Sequence, residues 1–276
     1  MTFGSLFAGI GGFDLGLERA GMECRWQVEI DGYASGVLAK HWPSVTRWGD
    51  VRTFPVGDPA EWQVDLICAG VPCQPVSHAG KQKGASDERW MWGEALRVVA
   101  DLKPRFFVAE NPVGILSHDR GRTFAGLIRA LSSVGYVCEW HVVPACAVGA
   151  PHRRERVWIV ADSDSRRFAR KRLSEHSDQQ GSFGHQPYRC STWGRWARQA
   201  ASDSQYRGRQ GWNSERPWSD TAMSSGWWET EPAVGRVAHG VPNRVDRLRC
   251  LGNAVVPQVA EVIGRAIIAL EHEVQA

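Results

Sequence analysis

Long apolar runs are absent from this 276-residue chain, and so are the marks of an export signal. No apolar stretch is long enough to cross a bilayer. The N-terminus lacks the charged start and the apolar core of a signal peptide. These absences argue against a membrane or secreted protein, and the composition is that of an ordinary globular chain. We therefore expect a cytoplasmic protein.

Cysteine occurs in a number and pattern that exclude two common uses. Seven cysteines are scattered along the chain, and an odd, dispersed set does not build a disulfide framework. No CxxC pair and no Cys/His cluster offers zinc ligands. We therefore expect no metal and no metal-dependent chemistry.

Aliphatic side chains become rare between 163 and about 236, where Ser, Arg, Gln, Gly and Trp dominate. Low aliphatic content is typical of disorder, but six tryptophans there favour a small domain or ordered loops. Residues 163–250 contain 15 Lys/Arg against 9 Asp/Glu, a balance of +6, whereas the rest of the chain has 18 against 21, or −3. Such asymmetry is typical of a surface that faces nucleic acid, although a solvated basic face would explain it equally well.

The first 162 residues alternate strand-like and helix-like patterns. Strands are predicted at Phe3–Phe7, Arg25–Glu29, Val64–Ala69, Arg105–Glu110, Tyr136–Val143 and Val157–Ala161, and helices at Gly12–Ala20, Tyr33–His41, Asp87–Leu102 and Arg122–Ser133. This alternation predicts an α/β fold with a doubly wound, mostly parallel sheet in 1–162. A small irregular domain would follow in 163–245. Apolar residues at helical spacing after Leu251, where order is expected to return, predict that 246–276 packs back onto the sheet domain.

Cys73 is the clearest candidate for chemistry. It lies in Gly70-Val71-Pro72-Cys73-Gln74, on the loop that leaves a buried strand, where open α/β sheets place their sites. Pro72 stiffens this corner, and a thiolate held there would be a nucleophile. The alternative is a small buried hydrophobic side chain, which is the usual role of a free cysteine.

A glycine-rich turn, Phe7-Ala8-Gly9-Ile10-Gly11-Gly12, joins the first strand to the first helix. Glycines at this point let the backbone approach a cofactor beside a helix N-terminus. Glu29 stands twenty residues after Gly9, where a carboxylate binds ribose hydroxyls. Asp50 ends the next strand and could accept from an adenine amino group, or it could be a turn residue or a helix cap.

Two more strands carry charged residues at their ends. Glu110 closes a buried strand, where desolvation would raise its pKa and let it hold a proton for a ring nitrogen. The alternative is a helix N-cap in front of Pro112. Arg154 and Arg156 precede the last strand, and alternation would send both to one side, where they could bind a phosphate or a base carbonyl. An edge-strand charge run is the other interpretation of the arginines.

Together with Gly252-Asn253-Ala254-Val255, these motifs resemble those of the DNA (cytosine-5) methyltransferase family, in order and in spacing. The resemblance implies S-adenosyl-L-methionine as cofactor and double-stranded DNA as substrate. It implies a covalent Cys73 adduct at carbon 6 of a flipped-out cytosine, and it makes 163–245 the target-recognition domain. It also implies a monomer, with a cognate restriction endonuclease as an optional partner.

The family resemblance assigns residues to three groups. The catalytic group is Cys73, Glu110, Arg154 and Arg156. The cofactor-binding group is Phe7, Ala8, Gly9, Ile10, Gly11, Gly12, Glu29, Ile30, Asp50, Val51, Pro72, Asn253 and Val255. The substrate-binding group is Gln74, Ser77, Lys81, Arg89 and Asn111.

Two positions differ from the usual family pattern, and three other functions compete with this assignment. Pro112 stands where valine is more usual, and His152 stands where glutamine is common. The hydrogen bond that this glutamine would make behind the arginines is therefore not predicted for this chain. The family's tRNA-modifying branch carries a Cys-Phe-Thr tripeptide in its variable region, which this chain lacks. A non-catalytic relative would normally lose Cys73 or Glu110. An NAD-linked dehydrogenase would leave both residues and the arginine pair unexplained.

Overall fold

The structure, a computed structural model, describes residues 1–72, 91–150, 152–163 and 243–275. Seven strands in these ranges form one sheet: β1 Thr2–Leu6, β2 Glu23–Val28, β3 Thr46–Trp48, β4 Leu66–Gly70, β5 Phe106–Pro112, β6 Val137–Val143 and β7 Arg156–Asp162. Each of the six strands predicted with bounds is present, with ends within two residues of the predicted ones.

The sheet has the strand order β3-β2-β1-β4-β5-β7-β6. All pairs from β3 to β5 are parallel, whereas β7 runs antiparallel to both β5 and β6. The chain reverses its direction of growth between β1 and β4, which is the switch point where open α/β sheets bind ligands. The predicted doubly wound, mostly parallel sheet is confirmed. The predicted irregular domain lies almost wholly outside the described residues.

Helices cover both faces of the sheet. They are α1 Gly12–Arg19, α2 Gly32–His41, α3 Trp92–Leu102, α4 Gly114–Ser117, α5 Arg122–Ser133, α6 Arg244–Asn253 and α7 Pro257–Gln275. Neighbouring strand residues such as Phe106 and Phe107 point to opposite faces, and both are fully buried. Phe106 packs in a cluster with side chains of α1 and α7, and Phe107 in a cluster with those of α3 and α5. Burial on both sides explains why these strands are continuous apolar runs.

Helix α7 packs closely along α1 because three glycines allow it. A Cβ added at Gly16 would lie 2.3 Å from the Pro257 carbonyl oxygen, and one at Gly264 would lie 2.8 Å from Ala20 Cβ. A Cβ at Gly12 would lie 2.4 Å from the Val255 carbonyl oxygen. The C-terminal segment therefore shares the core of the sheet and reaches the turn that follows β1.

By length and composition alone, the stretch from Arg244 to His272 could cross a membrane, which the sequence analysis does not anticipate. The structure divides this stretch into α6 and α7. The buried apolar side chains of α7, among them Val259, Ile263 and Ile267, pack in the core cluster beside α1. A core helix passes the same composition test, so this feature is weak evidence for a membrane span.

Helix α6 begins at Arg244, earlier than Leu251, where the sequence predicts that order returns. Its large apolar residues Val245, Leu248 and Leu251 are all exposed. The helix carries too few apolar residues, among too many charged ones, to give the periodic signal that identified α7.

Candidate active site

The turn between β1 and α1 holds its backbone in conformations that favour glycine. The φ angle is +58° at Gly9 and +84° at Gly11, both in the left-handed region. A Cβ at Gly9 would meet no heavy atom within 4 Å in the described part of the chain. As far as the described residues go, the Gly9 backbone therefore faces open space beside the N-terminus of α1, where first-turn N–H groups lack intrahelical acceptors. Phe7 and Ile10 are half-buried here, whereas Ala8 and Gly12 are buried.

Glu29 ties the end of β2 to this turn. Its Oε2 accepts from the Gly9 N–H at 2.7 Å, and its Oε1 accepts from the Asp31 N–H at 2.7 Å. Each carboxylate oxygen keeps one further acceptor position, enough for the two hydroxyls of a ribose. The neighbouring Ile30 side chain is 69% exposed. It offers an apolar surface at the same edge.

Asp50 is both a cap and an ionised acceptor. It begins a short 3₁₀ helix, Val51–Thr53, where its Oδ1 accepts from the Arg52 N–H at 3.0 Å. The Arg52 guanidinium donates to the same carboxylate, with Nη2 2.7 Å from Oδ2. These hydrogen bonds, the side-chain ones first, lower the pKa of Asp50. Asp50 follows β3, and Glu29 follows the neighbouring strand β2. The two strand ends are joined there, because the Glu29 N–H donates to the Trp48 carbonyl oxygen at the end of β3.

Glu110 is a buried carboxyl group in contact with an arginine. Its side chain lies at the carboxyl-terminal part of β5, opposite Gly70 of β4, and it is 8% exposed. Burial raises its pKa to about 7, although the charges of Arg156 and Arg154 act in the opposite direction. Arg156 Nε lies 3.0 Å from Glu110 Oε1. At neutral pH this group can therefore either hold or release a proton, as a general acid must.

Arg154 connects the start of β7 to the C-terminal part of the chain. It lies before β7 with a left-handed φ of +32°, so alternation does not fix its direction. Its two Nη atoms donate to the carbonyl oxygens of Gly252 and Ala254, each at 2.8 Å. Burial lowers its pKa, and the like charge of Arg156 adds to that effect. Arg154 thus joins the N-terminal end of β7 to the connector between α6 and α7, beside the exposed Asn253.

Asn111 orients the chain just before Cys73. Its amide nitrogen donates to the Val71 carbonyl oxygen at 3.1 Å and to the carbonyl oxygen of Glu110 at 2.9 Å. The residue is fully buried, and within the described ranges its Oδ1 has no hydrogen-bond partner. A hydrogen bond therefore holds Val71, two residues before Cys73, against the strand that carries Glu110. Pro72 is the last described residue here. Residues 73–90 lie outside the described ranges, and with them Cys73, Gln74, Ser77, Lys81 and Arg89.

Sequence reasoning missed a buried polar cluster beneath the glycine turn. Asp14 of α1 is fully buried and accepts from Ser5 Oγ at 3.1 Å, from Gln27 Nε2 at 2.8 Å and from Cys24 Sγ at 3.5 Å. Burial raises the pKa of Asp14. The cluster fixes α1 to β1 and β2. The available signal was a charged residue next to Phe13, on the face of α1 that carries its apolar side chains.

A second missed contact links the C-terminal segment to the loop that follows Glu29. Arg249 of α6 donates to Asp31 Oδ2 at 2.5 Å, and Asp31 also caps α2 by accepting from the Ala34 N–H. Val255 lies against Gly12, as described above. The glycine turn, Glu29 with its following loop, and the connector between α6 and α7 therefore meet at one edge of the sheet.

Comparison with known proteins gives a consistent result. The model of the family described as C-5 cytosine-specific DNA methylase matches residues 1–221. The Type II methyltransferase M.BanI of Aneurinibacillus aneurinilyticus is 36% identical over 170 residues, which cover 58% of this chain and 38% of that protein. The Type II methyltransferase M.HhaI of Haemophilus parahaemolyticus is 35% identical over 161 residues, which cover 58% and 48%.

A solved structure shares the fold as well as part of the sequence. It is described as a DNA modification methyltransferase encoded within an Escherichia coli prophage, and it is 28% identical with a TM-score of 0.51. The match covers 60% of this chain and 48% of that one. The chain thus spans less than half the length of each of these three proteins.

Proposed function

Because the chain belongs to the C-5 cytosine-specific DNA methylase family, we propose that it methylates carbon 5 of cytosine in duplex DNA. The observation that carries the proposal is the Glu110 carboxyl, whose pKa of about 7 suits proton transfer to a ring nitrogen. It lies beside the strand that leads into Cys73. Addition to a pyrimidine ring requires a nucleophile and an acid, helped by groups such as arginines, and this chain has Cys73 after β4 in sequence, Glu110 on β5 and two arginines at the start of β7.

The residues present fit S-adenosylmethionine as the cofactor. The open space at Gly9 admits a ligand against the backbone, and the spare acceptor positions of Glu29 suit a ribose. Ile30 supplies an apolar surface for a purine, Asp50 an ionised acceptor for its amino group, and Val255 a wall from the C-terminal segment. When bound, the cofactor supplies an electrophilic methyl group next to the target carbon. The remaining chemistry belongs to the side chains.

Cys73 adds to the target base. Its thiolate attacks carbon 6 of the cytosine, which makes carbon 5 nucleophilic. Asn111 positions the preceding backbone by its hydrogen bond to Val71. After carbon 5 has taken the methyl group, a water base removes the carbon-5 proton, and the electron pair that this leaves expels the cysteine as a thiolate. Nitrogen 3 then returns its proton to Glu110.

Glu110 and the arginines stabilise the ring during the addition. Glu110 in its acid form donates a proton to nitrogen 3, which neutralises the charge that develops as the thiolate adds. Arg156, 3.0 Å from the carboxylate, holds the acid in place and provides a donor for the base carbonyl. Arg154 supports the same region, since it anchors the connector between α6 and α7.

The target cytosine must leave the duplex to reach these groups, because stacking hides its ring face. Gln74, Ser77, Lys81 and Arg89 would contact the flipped base and its strand, whereas the buried Asn111 would act through the backbone of Val71. Residues 163–245 would recognise the surrounding sequence. The protein would act on DNA in the cytoplasm as a monomer, with or without a cognate restriction endonuclease.

Bisulfite sequencing tests the reaction. DNA from a methylation-free bacterial host that expresses the chain should show protected cytosines in one recurring sequence context. Cys73→Ser should abolish the protection, whereas Cys250→Ser, which alters a half-buried cysteine of α6, should keep it. Protection that survives Cys73→Ser would contradict the mechanism. No protection from soluble protein that binds S-adenosylmethionine would favour an RNA substrate or an inactive relative.

The covalent step has its own test. Duplex DNA with 5-fluorocytosine at the target position carries fluorine in place of the proton that must leave, so elimination of the cysteine is blocked. The intact protein with S-adenosylmethionine should form a complex that survives denaturing electrophoresis, and Cys73→Ser should not. A trapped complex formed equally well by Cys73→Ser would exclude this residue as the nucleophile.

The variable segment can be tested by deletion. Replacement of residues 163–234 by a short Gly/Ser linker should leave S-adenosylmethionine binding intact and remove sequence selectivity for DNA. Loss of cofactor binding by a folded deletion variant would show that the boundary of the target-recognition domain lies elsewhere.

A further inference from the structure

Arg97 of α3 is the centre of a group of contacts that joins two parts of the site. Its Nη2 donates to the Val51 carbonyl oxygen at 2.8 Å and to the Phe54 carbonyl oxygen at 2.6 Å. Nε donates to Glu94 at 2.9 Å, and Nη1 to Asp101 at 3.1 Å. One guanidinium therefore uses all three nitrogens, which is possible because its donors form a rigid planar fork.

The two carbonyls belong to the loop that begins with Asp50. Val51 is buried and Phe54 is fully buried, where its ring packs on Trp26 and Trp62 at centroid distances of 4.8 and 4.9 Å. The Phe54 ring anchors one end of the loop in the core, and Arg97 holds the carbonyls on the side of α3. The Asp50 carboxylate is thereby presented at the edge of the sheet that carries Glu29.

Glu94 and Asp101 fix the direction of the Arg97 side chain. They stand three residues before and four residues after it, so both lie on the same face of α3. About a third of the Arg97 side chain is exposed, and exposed ion pairs add little to stability. The contribution of Arg97 is therefore to geometry, because it fixes two carbonyls that a point charge could not hold together.

Helix α3 also begins at Trp92, two positions after residues 73–90, which include Cys73. Trp92 is buried against Phe107. The helix that follows residues 73–90 in sequence is thus the helix whose Arg97 holds the loop of residues 50–54. We propose that Arg97 is a positioning residue for adenine recognition, which acts by fixing the 50–54 loop so that Asp50 faces the purine amino group. This role depends on the proposed S-adenosylmethionine binding.

The test compares two ligands by calorimetry: S-adenosylhomocysteine, and its inosine analogue, which carries a 6-oxo group in place of the amino group. The wild-type protein should prefer the adenine compound by about tenfold or more, the worth of one hydrogen bond to a charged group. Arg97→Ala should reduce this preference to within about threefold of unity. Arg97→Lys, which keeps the charge but loses the fork, should give an intermediate preference.

Two controls separate positioning from general destabilisation. Arg129→Ala removes an exposed arginine from α5 and should leave the preference unchanged. In an Asp50→Ala background, Arg97→Ala should have no further effect on the preference, because the acceptor that it positions has gone. A variant that melts at a lower temperature but keeps the wild-type preference would overturn the proposal. So would additive effects of the Asp50 and Arg97 substitutions.

The same titrations distinguish this inference from the proposed function. Folded wild-type protein that binds neither ligand would contradict S-adenosylmethionine binding, and the role of Arg97 with it. Wild-type protein that binds both ligands equally would contradict adenine recognition by Asp50 while leaving the cofactor assignment standing. A wild-type preference that persists in Arg97→Ala and Arg97→Lys would refute the positioning role alone.

Discussion

Glu110→Gln is expected to stabilise the protein at alkaline pH while it cuts turnover severely. The folded-state pKa of about 7 lies above the ordinary value of 4.5 because the carboxyl is buried. The folded protein therefore binds more protons than the unfolded chain between these values, so stability is lost as pH rises through 7. At about 1.36 kcal/mol per pH unit, the interval from 4.5 to about 7 corresponds to ~3 kcal/mol. Glutamine carries no charge, so the variant avoids this loss.

Urea unfolding at about pH 5 and about pH 8.5 measures the effect. The wild-type protein should lose more stability than Glu110→Gln between the two conditions, by up to ~3 kcal/mol. Histidines and other titrating groups cancel, because both proteins contain them. Glu155→Gln, which removes an exposed carboxylate next to Arg156, serves as the matched control and should follow the wild type.

Equal pH dependence of the wild type and Glu110→Gln would refute the reasoning, because the carboxyl would then have the same pKa in both states. If the variant lost more stability than the wild type as pH rises, the pKa of Glu110 would be lowered by folding, and Arg156 would outweigh burial. Bisulfite sequencing of the same variant completes the test. A stable variant with full methylation activity would remove Glu110 from the mechanism.

Three further predictions follow from the same edge of the sheet. Arg156→Gln should raise the pKa of Glu110 further, by about one to three pH units, which a ¹³C NMR titration of labelled glutamate detects; a lower midpoint would contradict the ion pair. Gly12→Ala should destabilise the protein by about 1–3 kcal/mol and weaken S-adenosylmethionine binding, whereas Gly126→Ala, in open space on α5, should be neutral or stabilising in the same thermal melts. Asn111→Asp should lower kcat and leave the cofactor Kd unchanged, because its carboxylate would repel the Val71 carbonyl oxygen that the amide now contacts; an altered Kd with normal kcat would oppose this role.

Much of the fold could be predicted because the strands β1, β4, β5 and β7 are buried on both faces. Continuous apolar runs such as the one through Phe106 and Phe107 have a strong signal, and helix α5 begins and ends at the predicted residues. The antiparallel direction of β7 was not predicted, since strand direction depends on the connection and not on composition. Helix α6 was missed as an element because its apolar residues are exposed.

The candidate site was predicted less completely because a motif identifies residues and not their partners. Glu29 follows β2 as expected, and Glu110 lies in β5 two residues before its end. Backbone N–H groups hold the first carboxylate and an arginine holds the second. The contacts of Arg97 with Val51 and of Arg249 with Asp31 span 46 and 218 residues in sequence. No local pattern contains such pairs. Such contacts form only when the folded sheet brings the carboxyl-terminal ends of its strands, and the segments that follow them, to one edge.

The groups that form the candidate site lower the stability of the fold that carries them. Ionised Glu110 costs about 3 kcal/mol at alkaline pH. Asn111 Oδ1 is buried without a hydrogen-bond partner among the described residues, and such an acceptor costs about 1–3 kcal/mol. A domain whose net stability is about 5–15 kcal/mol tolerates such costs only if its packing is otherwise good. The apolar layers on both faces of the sheet, together with the close packing of α7 on α1, meet that condition. Substitutions that remove these buried polar groups should therefore raise stability and reduce activity together, whereas substitutions in the apolar layers should lower both.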